Sequence, residues 1–363
     1  MPPKKRDAGA AIGNDEAKRA RHKLTTLGRT SHVTQRGLQE LVGELRRDPE
    51  GAPHSVGRYV QYKARKERAA TKTPYGNVVE EYQLPCTQGR QRVGIINPCA
   101  LLFACCAASA ALSGLMLDKM QDHPMPWNVL IYADGISPSD TRVLHDRRHL
   151  QALYWSFAEF GPESLCREDC WFTLACLRDT LVRDVEAGLS HVTKLLLTQF
   201  FFNHEQGFAT GIELQLHGAG GGLSWFAAQL GGIVSDEVAL AEMLLCKGHG
   251  GYKPCILCSN VILHRYFGSF AASDWAVSST CTDPSKLKLH TDASARETLD
   301  RLAELKDALP VGEFKLREKL FGFNYQRHGL LWDGWLAVRV ASSVIYDWMH
   351  IYLASGMYVL IHT

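Results

Sequence analysis

The sequence lacks several features that would place it in a familiar class of protein. Its N-terminus is polar and basic, so it has no secretory signal pattern, and it contains no internal repeat. The glycine-rich turn from His217 to Gly222 is not followed by the Gly-Lys-Ser/Thr of a phosphate-binding loop. Its eleven cysteines lack the spacing of a disulfide framework. We therefore expect reduced thiols in the cytosol or nucleus, where paired cysteines bind metal more often than they form disulfides.

Net charge is also small, but it is unevenly distributed. The 363 residues carry a net charge of +2, with the 46% hydrophobic and 21% charged content of a globular protein. Residues 1–75 hold 17 Lys/Arg against 8 Asp/Glu, a surplus of nine, which leaves about minus seven on the remainder. A basic arm on a mildly acidic body indicates contact with nucleic acid or an import receptor; a merely solvated tail is the alternative.

The basic arm contains two kinds of candidate contact. Residues 1–30 are predicted to be disordered, and the clusters at 4–6 and 18–23 resemble a bipartite nuclear import signal, which predicts a nuclear protein. Residues 57–70 predict a basic helix that either follows a phosphate backbone or faces solvent. The candidate nucleic-acid contacts there are Lys63, Arg65 and Lys66.

Residues 95–117 form an uncharged run that is long enough to span a bilayer. The run is rich in Ala, Ser, Cys and Gly and opens with Asn97-Pro98, a favourable helix start. We therefore predict a buried helix and no membrane contact, with a transmembrane span as the alternative.

The remaining patterns predict a mixture of strands and helices. Residues 126–135 and 223–235 are typical of strands, and 210–216 alternate like one. Leucines and aromatics at helical spacing predict helices over 147–160, 162–200 and 293–308, with Cys166, Cys170 and Cys176 as core residues. Residues 344–353 predict an apolar helix that carries Asp347 and His350 on one face.

Two aspartates each follow an apolar strand pattern and precede a turn or a helix. Asp134 ends the first strand, and Asp236 ends the strand at 223–235. Carboxylates brought together at neighbouring strand ends can hold the divalent cations of a two-metal phosphoryl-transfer site. Each aspartate alone is equally typical of a helix cap or a turn.

A basic glycine turn, Lys247 to Pro254, follows Asp236 and leads into Cys255-Ile-Leu-Cys258. Two thiolates on one side of a tight loop suit half of a tetrahedral zinc site, although such a pair is also found in structural turns. His249, His264, Cys246, Cys281 and His350 are candidates for the other ligands. Lys247 and Lys253 add candidate nucleic-acid contacts.

In this order, Ala-Asp134-Gly, Ser-Asp236-Glu, Lys-Gly-His-Gly…Lys-Pro-Cys255-x-x-Cys258 and Asp347-x-x-His350 resemble the DDE transposases of the CACTA-type (CMC) group, including KDZ/Plavaka-like relatives. The resemblance covers roughly residues 95 to 363, and its middle block is the most specific part. It implies an α/β, RNase H-like mixed sheet with large helical insertions and a basic, partly disordered N-terminal arm. It also implies that Asp134 and Asp236 are catalytic ligands of Mg²⁺ or Mn²⁺, that Cys255 and Cys258 bind structural Zn²⁺, and that His249, Asp347 and His350 are supporting motif residues.

The implied reaction is strand cleavage and transfer on DNA at transposon ends. The family's third carboxylate would follow Asp347-x-x-His350, but none of the thirteen residues after His350 is acidic, so we expect a truncated or degenerate copy that is catalytically incomplete. The implied parts are a disordered basic tail (1–30), a basic helical region (31–94), part of the RNase H-like core with the cysteine turn (95–258) and a truncated helical insertion (259–363). The alternative is a non-catalytic nuclear DNA-binding or zinc-stabilised interaction protein; for either form the sequence is compatible with an oligomer.

Overall fold

The fold is built on a five-stranded mixed sheet, here called the central sheet. The computed structural model describes residues 71–136, 149–217, 222–262 and 284–346. The strands of the central sheet are β5 (Trp127–Ile136), β6 (Leu150–Phe157), β7 (Phe172–Arg178), β10 (Ala228–Ser235) and β11 (Val344–Tyr346). The strand order is β11-β10-β5-β6-β7, in which β5, β6 and β7 form an antiparallel meander and β10 and β11 run parallel to β5.

One face of the central sheet is closed by a core rich in aromatic side chains. Along β5, the residues at every second position are fully buried, namely Trp127, Val129, Ile131 and Ala133. Trp155 of β6 stacks on Phe172 with ring centroids 4.6 Å apart, and Trp127 meets Phe226 edge to face at 5.1 Å. Such ring contacts add free energy of stabilisation beyond that from burying the rings' surface. Because a shift of one residue would move these side chains to the other face, their burial fixes the register of the sheet.

The other strands form hairpins around the central sheet. They are β1 (Lys72–Thr73) with β2 (Gly76–Asn77), β3 (Val79–Cys86) with β4 (Gly89–Ile96), and β8 (Ile212–Gln215) with β9 (Leu223–Phe226). The helices are α1 (Pro98–Ala108), α2 (Ala110–Asp122), α3 (Pro162–Leu165), α4 (Asp179–Arg183), α5 (Gly188–Leu196), α6 (Glu237–Met243), α7 (Asp292–Ala308), α8 (Val311–Phe321) and α9 (Val340–Ser343). A π-helical turn, Leu197–Phe201, extends α5.

The predicted buried helix over 95–117 is two helices. Its start is confirmed, because Asn97 caps the Ala100 N–H and Pro98 is the first helical residue. Ser109 then breaks the helix with extended backbone angles and caps α2 through the Leu112 N–H. Over the described residues, no single helix meets the length and hydropathy expected of a membrane span, whereas α1 and α2, bent by 109°, meet them only as a pair.

The helix predicted over 147–160 is wrong, and the one predicted over 162–200 is confirmed in part. The helical pieces of the second range are α3, α4, α5 and the π-helical turn. Residues 150–157 and 172–178 are instead the strands β6 and β7. Their apolar runs fit a buried strand as well as a helix, and the aromatic residues favour the strand. Cys166 and Cys176 are consequently exposed rather than part of the core.

Other sequence predictions have mixed outcomes. The strand at 126–135 and the helix at 293–308 are confirmed, whereas the strand at 223–235 is divided at Ala227 into β9 and β10. The described part of the predicted 344–353 helix is strand β11. Residues 79–96 form a hairpin, although a helical region was expected over 31–94, and the expected helix at 57–70 lies outside the described residues.

A candidate metal centre at the sheet edge

Two neighbouring parallel strands bring the predicted aspartates to the same edge of the central sheet. Ala133 of β5 is directly paired with Ser235 of β10, whose hydroxyl donates to the Ala133 carbonyl. Asp134 and Asp236 directly follow these two paired residues along the chain. Because adjacent strands lie about 4.8 Å apart, the two aspartates are cross-strand neighbours at the carboxyl ends of β5 and β10.

Asp236 also begins helix α6. One carboxylate oxygen, Oδ1, accepts a hydrogen bond of 2.7 Å from the Ala239 N–H, which is the geometry of an N-cap. The structure gives the second oxygen, Oδ2, no hydrogen bond within the described residues. The capping role therefore leaves one oxygen to meet a ligand.

Asp134 lies on the face of β5 opposite the aromatic core. Its register partner on β6 is Ala152, which is in turn paired with Cys176 on β7. Burial raises the pKa of Tyr154, and the negative charges of Cys176 and Asp134 raise it further. Asp134 is thus half-buried and close enough to influence Tyr154 electrostatically.

Two further acids at this edge were missed by sequence reasoning. Asp179 follows β7, which runs parallel to β5, and accepts from Gln151 Nε2 at 3.2 Å while pairing with Arg183 at 2.8 Å. Glu242 of α6 lines a cavity of about 740 Å³ together with Asp179 and Arg183. Had a strand been predicted over 172–178, Asp179 would have been recognised as a strand-end aspartate like the other two. The helix predicted over 162–200 gave no reason to single it out.

Partial burial raises the pKa of Glu242, and the charge of Asp179 raises it further; Arg183 lowers this pKa by less than Asp179 raises it, and Asp236 adds a smaller increase. The folded state therefore holds the Glu242 proton more tightly than the unfolded chain does, so stability declines as pH rises from the unfolded pKa through the raised one. We expect Glu242→Gln to melt at a higher temperature than wild type at pH 8 and equally at pH 4, as measured by circular dichroism. Glu163→Gln, on exposed α3, is the matched control; a lower melting temperature for Glu242→Gln at pH 8 would contradict this account.

The basic turn after α6 is fixed to α8. Lys247 Nζ lies 3.1 Å from Glu318 Oε2, and both side chains are more than four-fifths buried. The backbone N–H groups of Lys247 and Tyr252 donate to the carbonyls of Gly322 and Lys319. Lys253 is 7% exposed, and burial lowers its pKa to about 8. These two lysines thus pack inside the protein, and their predicted contact with nucleic acid has no exposed surface to support it.

The cysteine turn brings thiols together next to strand β11. The Cys258 thiol is hydrogen-bonded to that of Cys255, and burial, followed by this contact, raises its pKa to about 12. Burial raises the pKa of Cys246, and the charge of Cys255 raises it further. Tyr346, at the end of β11, is hydrogen-bonded to the Ile256 backbone. Burial raises the pKa of Tyr346, and the charges of Cys255 and Cys246 raise it further. Cys255 and Cys258 are therefore in contact, and Cys246 lies within electrostatic reach of Cys255 and Tyr346.

Across the described ranges, no three His, Cys, Asp or Glu side chains are arranged to hold one ion. Within them, the sheet edge offers the pair Asp134 and Asp236, and the turn offers the pair Cys255 and Cys258. Asp347, His350, His264 and Cys281 lie outside the described residues, as do Lys63, Arg65 and Lys66. His249 is placed only by its backbone, in the 3₁₀ turn Gly248–Gly250.

Comparisons with known proteins assign no family to the chain. No protein-family model matches the sequence, and no curated protein matches it.

Proposed function

We propose that the chain is a transposase-derived protein related to the DDE strand-transfer enzymes, with an RNase H-like core. The observation that carries the proposal is the alignment of Asp134 and Asp236 at the ends of adjacent parallel strands. The strand order adds support. Numbered along the chain, the central sheet reads 3-2-1-4-5, with strand 2 alone antiparallel to the others, and this mixed order supports the proposed RNase H-like core.

The two aspartates have the chemistry needed to bind Mg²⁺ or Mn²⁺. Both are half-buried, and Asp236 keeps one carboxylate oxygen without a hydrogen-bonding partner in the described residues. Hard divalent cations take one or two carboxylates and complete their shell with water and phosphate oxygens. When bound, such ions activate the attacking oxygen and stabilise the leaving oxygen of an in-line displacement. The substrate that fits this role is DNA at transposon ends.

We propose that the chain binds the cation through these two carboxylates. Asp134 and Asp236 position the ion, while Ser235, bonded to the Ala133 carbonyl, holds the two strand ends together. The proposed setting is the nucleus, with the basic residues 1–75 as the contact for an import receptor. Metal binding, rather than strand transfer, is therefore the decisive measurement.

We expect purified protein to bind Mn²⁺, as measured by electron paramagnetic resonance, and Asp134→Asn and Asp236→Asn each to weaken that binding at least tenfold. Asparagine removes the charge but caps a helix as well as aspartate does, so Asp236→Asn keeps α6 intact. Asp236→Ser provides a second cap-preserving variant.

Glu163→Gln is the matched control, because α3 is exposed and follows β6 at the opposite edge of the sheet. Its Mn²⁺ binding should equal that of wild type. Equal Mn²⁺ affinity in all four variants would reject the metal centre and, with it, the phosphoryl-transfer proposal.

A non-catalytic, zinc-stabilised interaction protein is the second candidate. The contact between Cys255 and Cys258 favours it, since a structural Zn²⁺ there would stabilise the turn that is hydrogen-bonded to Tyr346 of β11. Zinc binding without Mn²⁺ binding at the aspartates would select this second function.

A further inference from the structure

An exposed tryptophan, Trp335, is held rigidly on the side of the molecule away from the aspartates. It is 52% exposed, which is unusual for so large an apolar ring. Its indole N–H donates to the Phe202 carbonyl at 3.1 Å, which fixes the edge of the ring. The His204 ring covers part of it, with centroids 3.9 Å apart at an angle of 44°.

The loop that carries Trp335 is organised by Asp333. Its Oδ1 accepts from the backbone N–H groups of Trp335 at 3.1 Å and Leu336 at 2.9 Å. Its Oδ2 lies 3.7 Å from Lys194 Nζ, and both side chains are largely buried. Ala337, in the same loop, has a φ of 42°, a left-handed conformation that costs a non-glycine residue on the order of 1 kcal/mol. The loop thus holds its tryptophan in a fixed and strained arrangement, as binding loops do.

The Trp335 ring forms one wall of a cavity of about 370 Å³. That volume falls within the range of small-molecule sites. The same cavity is lined by apolar Phe202 and Leu230, by the amide of Gln229 and by the exposed guanidinium residue Arg339. The site therefore combines a flat aromatic wall, an amide and a cation.

We propose that this cavity, here called the Trp335 site, binds the base of a nucleotide. The base stacks on the indole of Trp335, and Arg339 pairs with the phosphate. Every base presents a face that can stack on an aromatic ring, and guanidinium is a preferred partner of phosphate. A peptide anchor would use only the aromatic and apolar walls, whereas a planar ring joined to an anion would also use the exposed Arg339 cation, whose charge already acts on Asp292.

The Trp335 site is separate from the aspartate pair. Gln229 and Leu230 lie at the amino end of β10, whereas Ser235 and Asp236 lie at its carboxyl end. At 3.3 Å per residue, the two regions are roughly 20 Å apart along the strand. Nothing in the metal chemistry requires the Trp335 site, so the inference goes beyond the proposed function. The base has two sources, a free nucleotide or an unpaired base in a DNA strand.

The test uses the full chain without added Mn²⁺, titrated by calorimetry with dAMP, deoxyadenosine and a single-stranded oligonucleotide. Since base stacking is worth about 1–3 kcal/mol, Trp335→Ala should weaken dAMP binding roughly 5- to 150-fold. Trp225→Ala is the matched control, because Trp225 is 57% exposed on the β8–β9 hairpin, and it should leave binding within twofold. Arg339→Gln should weaken dAMP binding and leave deoxyadenosine unchanged.

Each result is informative. Tighter binding of the oligonucleotide than of dAMP identifies a DNA strand as the source, and equal binding identifies a free nucleotide. If neither ligand binds, or if Trp225→Ala weakens binding as much as Trp335→Ala, the proposal is overturned. Should Trp335→Ala fail to fold, an unchanged dAMP affinity in Arg339→Gln overturns it instead. Asp134→Asn should keep this binding, so failure of the metal proposal would not be mistaken for failure here.

Discussion

Replacement of Gly231 by alanine should destabilise the fold by about 3 kcal/mol, at the upper end of overpacking effects. Gly231 is the extra residue of a bulge in β10, where the pairing with β5 shifts between Leu230 and Gly232. A Cβ atom there would lie 2.3 Å from the Asn128 Cβ and 2.9 Å from its Cα. The obstacle is the β5 backbone itself, which cannot move aside without opening the β5–β10 pair.

Urea unfolding monitored by circular dichroism measures this effect. Because β5 and β10 carry the two aspartates, Mn²⁺ binding should weaken together with stability. Gly114→Ala is the matched control, since Gly114 lies inside α2 with no atom within 4 Å of an added Cβ. Alanine there should stabilise the protein by up to about 1 kcal/mol through helix propensity. Equal free energies of unfolding for Gly231→Ala and wild type would show that the bulge is not tightly packed.

The position of Asp236 was predictable because its signals are local. An apolar run, a polar capping residue and a short helical pattern follow one another within a few residues. The structure has the same sequence of elements, with β10, the Asp236 cap and α6. Asp134 was found in the same way, since it comes at the end of a strand that the sequence makes plain. Which strands become neighbours depends on long-range packing, and the sequence pattern does not encode it directly.

The parts that sequence reasoning missed depend on those long-range contacts. The apolar runs of β6 and β7 are compatible with either a helix or a strand. Pairing of β6 with β5, and of β7 with β6, determines that they are strands. Asp179 was hidden for that reason. Likewise, no local sequence pattern near Lys247 predicts its ion pair with Glu318, which lies 71 residues away in the sequence. From the sequence, Lys247 was therefore interpreted as a phosphate contact. In the structure its side chain forms an ion pair that connects the turn to α8.

Cys255→Ser combined with Cys258→Ser should remove bound zinc, lowering it from about one ion per chain to none. The two thiols are already in contact, and Zn²⁺ binds such thiolates in place of their protons. In zinc-finger peptides a structural zinc contributes on the order of 10 kcal/mol of binding free energy. The double variant should therefore also lose order in the turn and its contact with Tyr346, seen as faster amide exchange over 252–258. Zinc is measured by plasma mass spectrometry on protein purified without chelator.

The matched control replaces the exposed Cys166 and Cys176 by serine, an equal number of thiols far from the turn in sequence. It should keep its zinc and its melting temperature. Cys246→Ser separates two forms of the site: it should lower zinc affinity if the third thiol is a ligand, and leave it unchanged if Cys246 only packs nearby. Retention of zinc by the Cys255/Cys258 variant would show that the metal is held elsewhere. The contact between those two thiols would then be a feature of a tight turn, and the link between the turn and β11 would rest on Tyr346 and its bond to the Ile256 backbone.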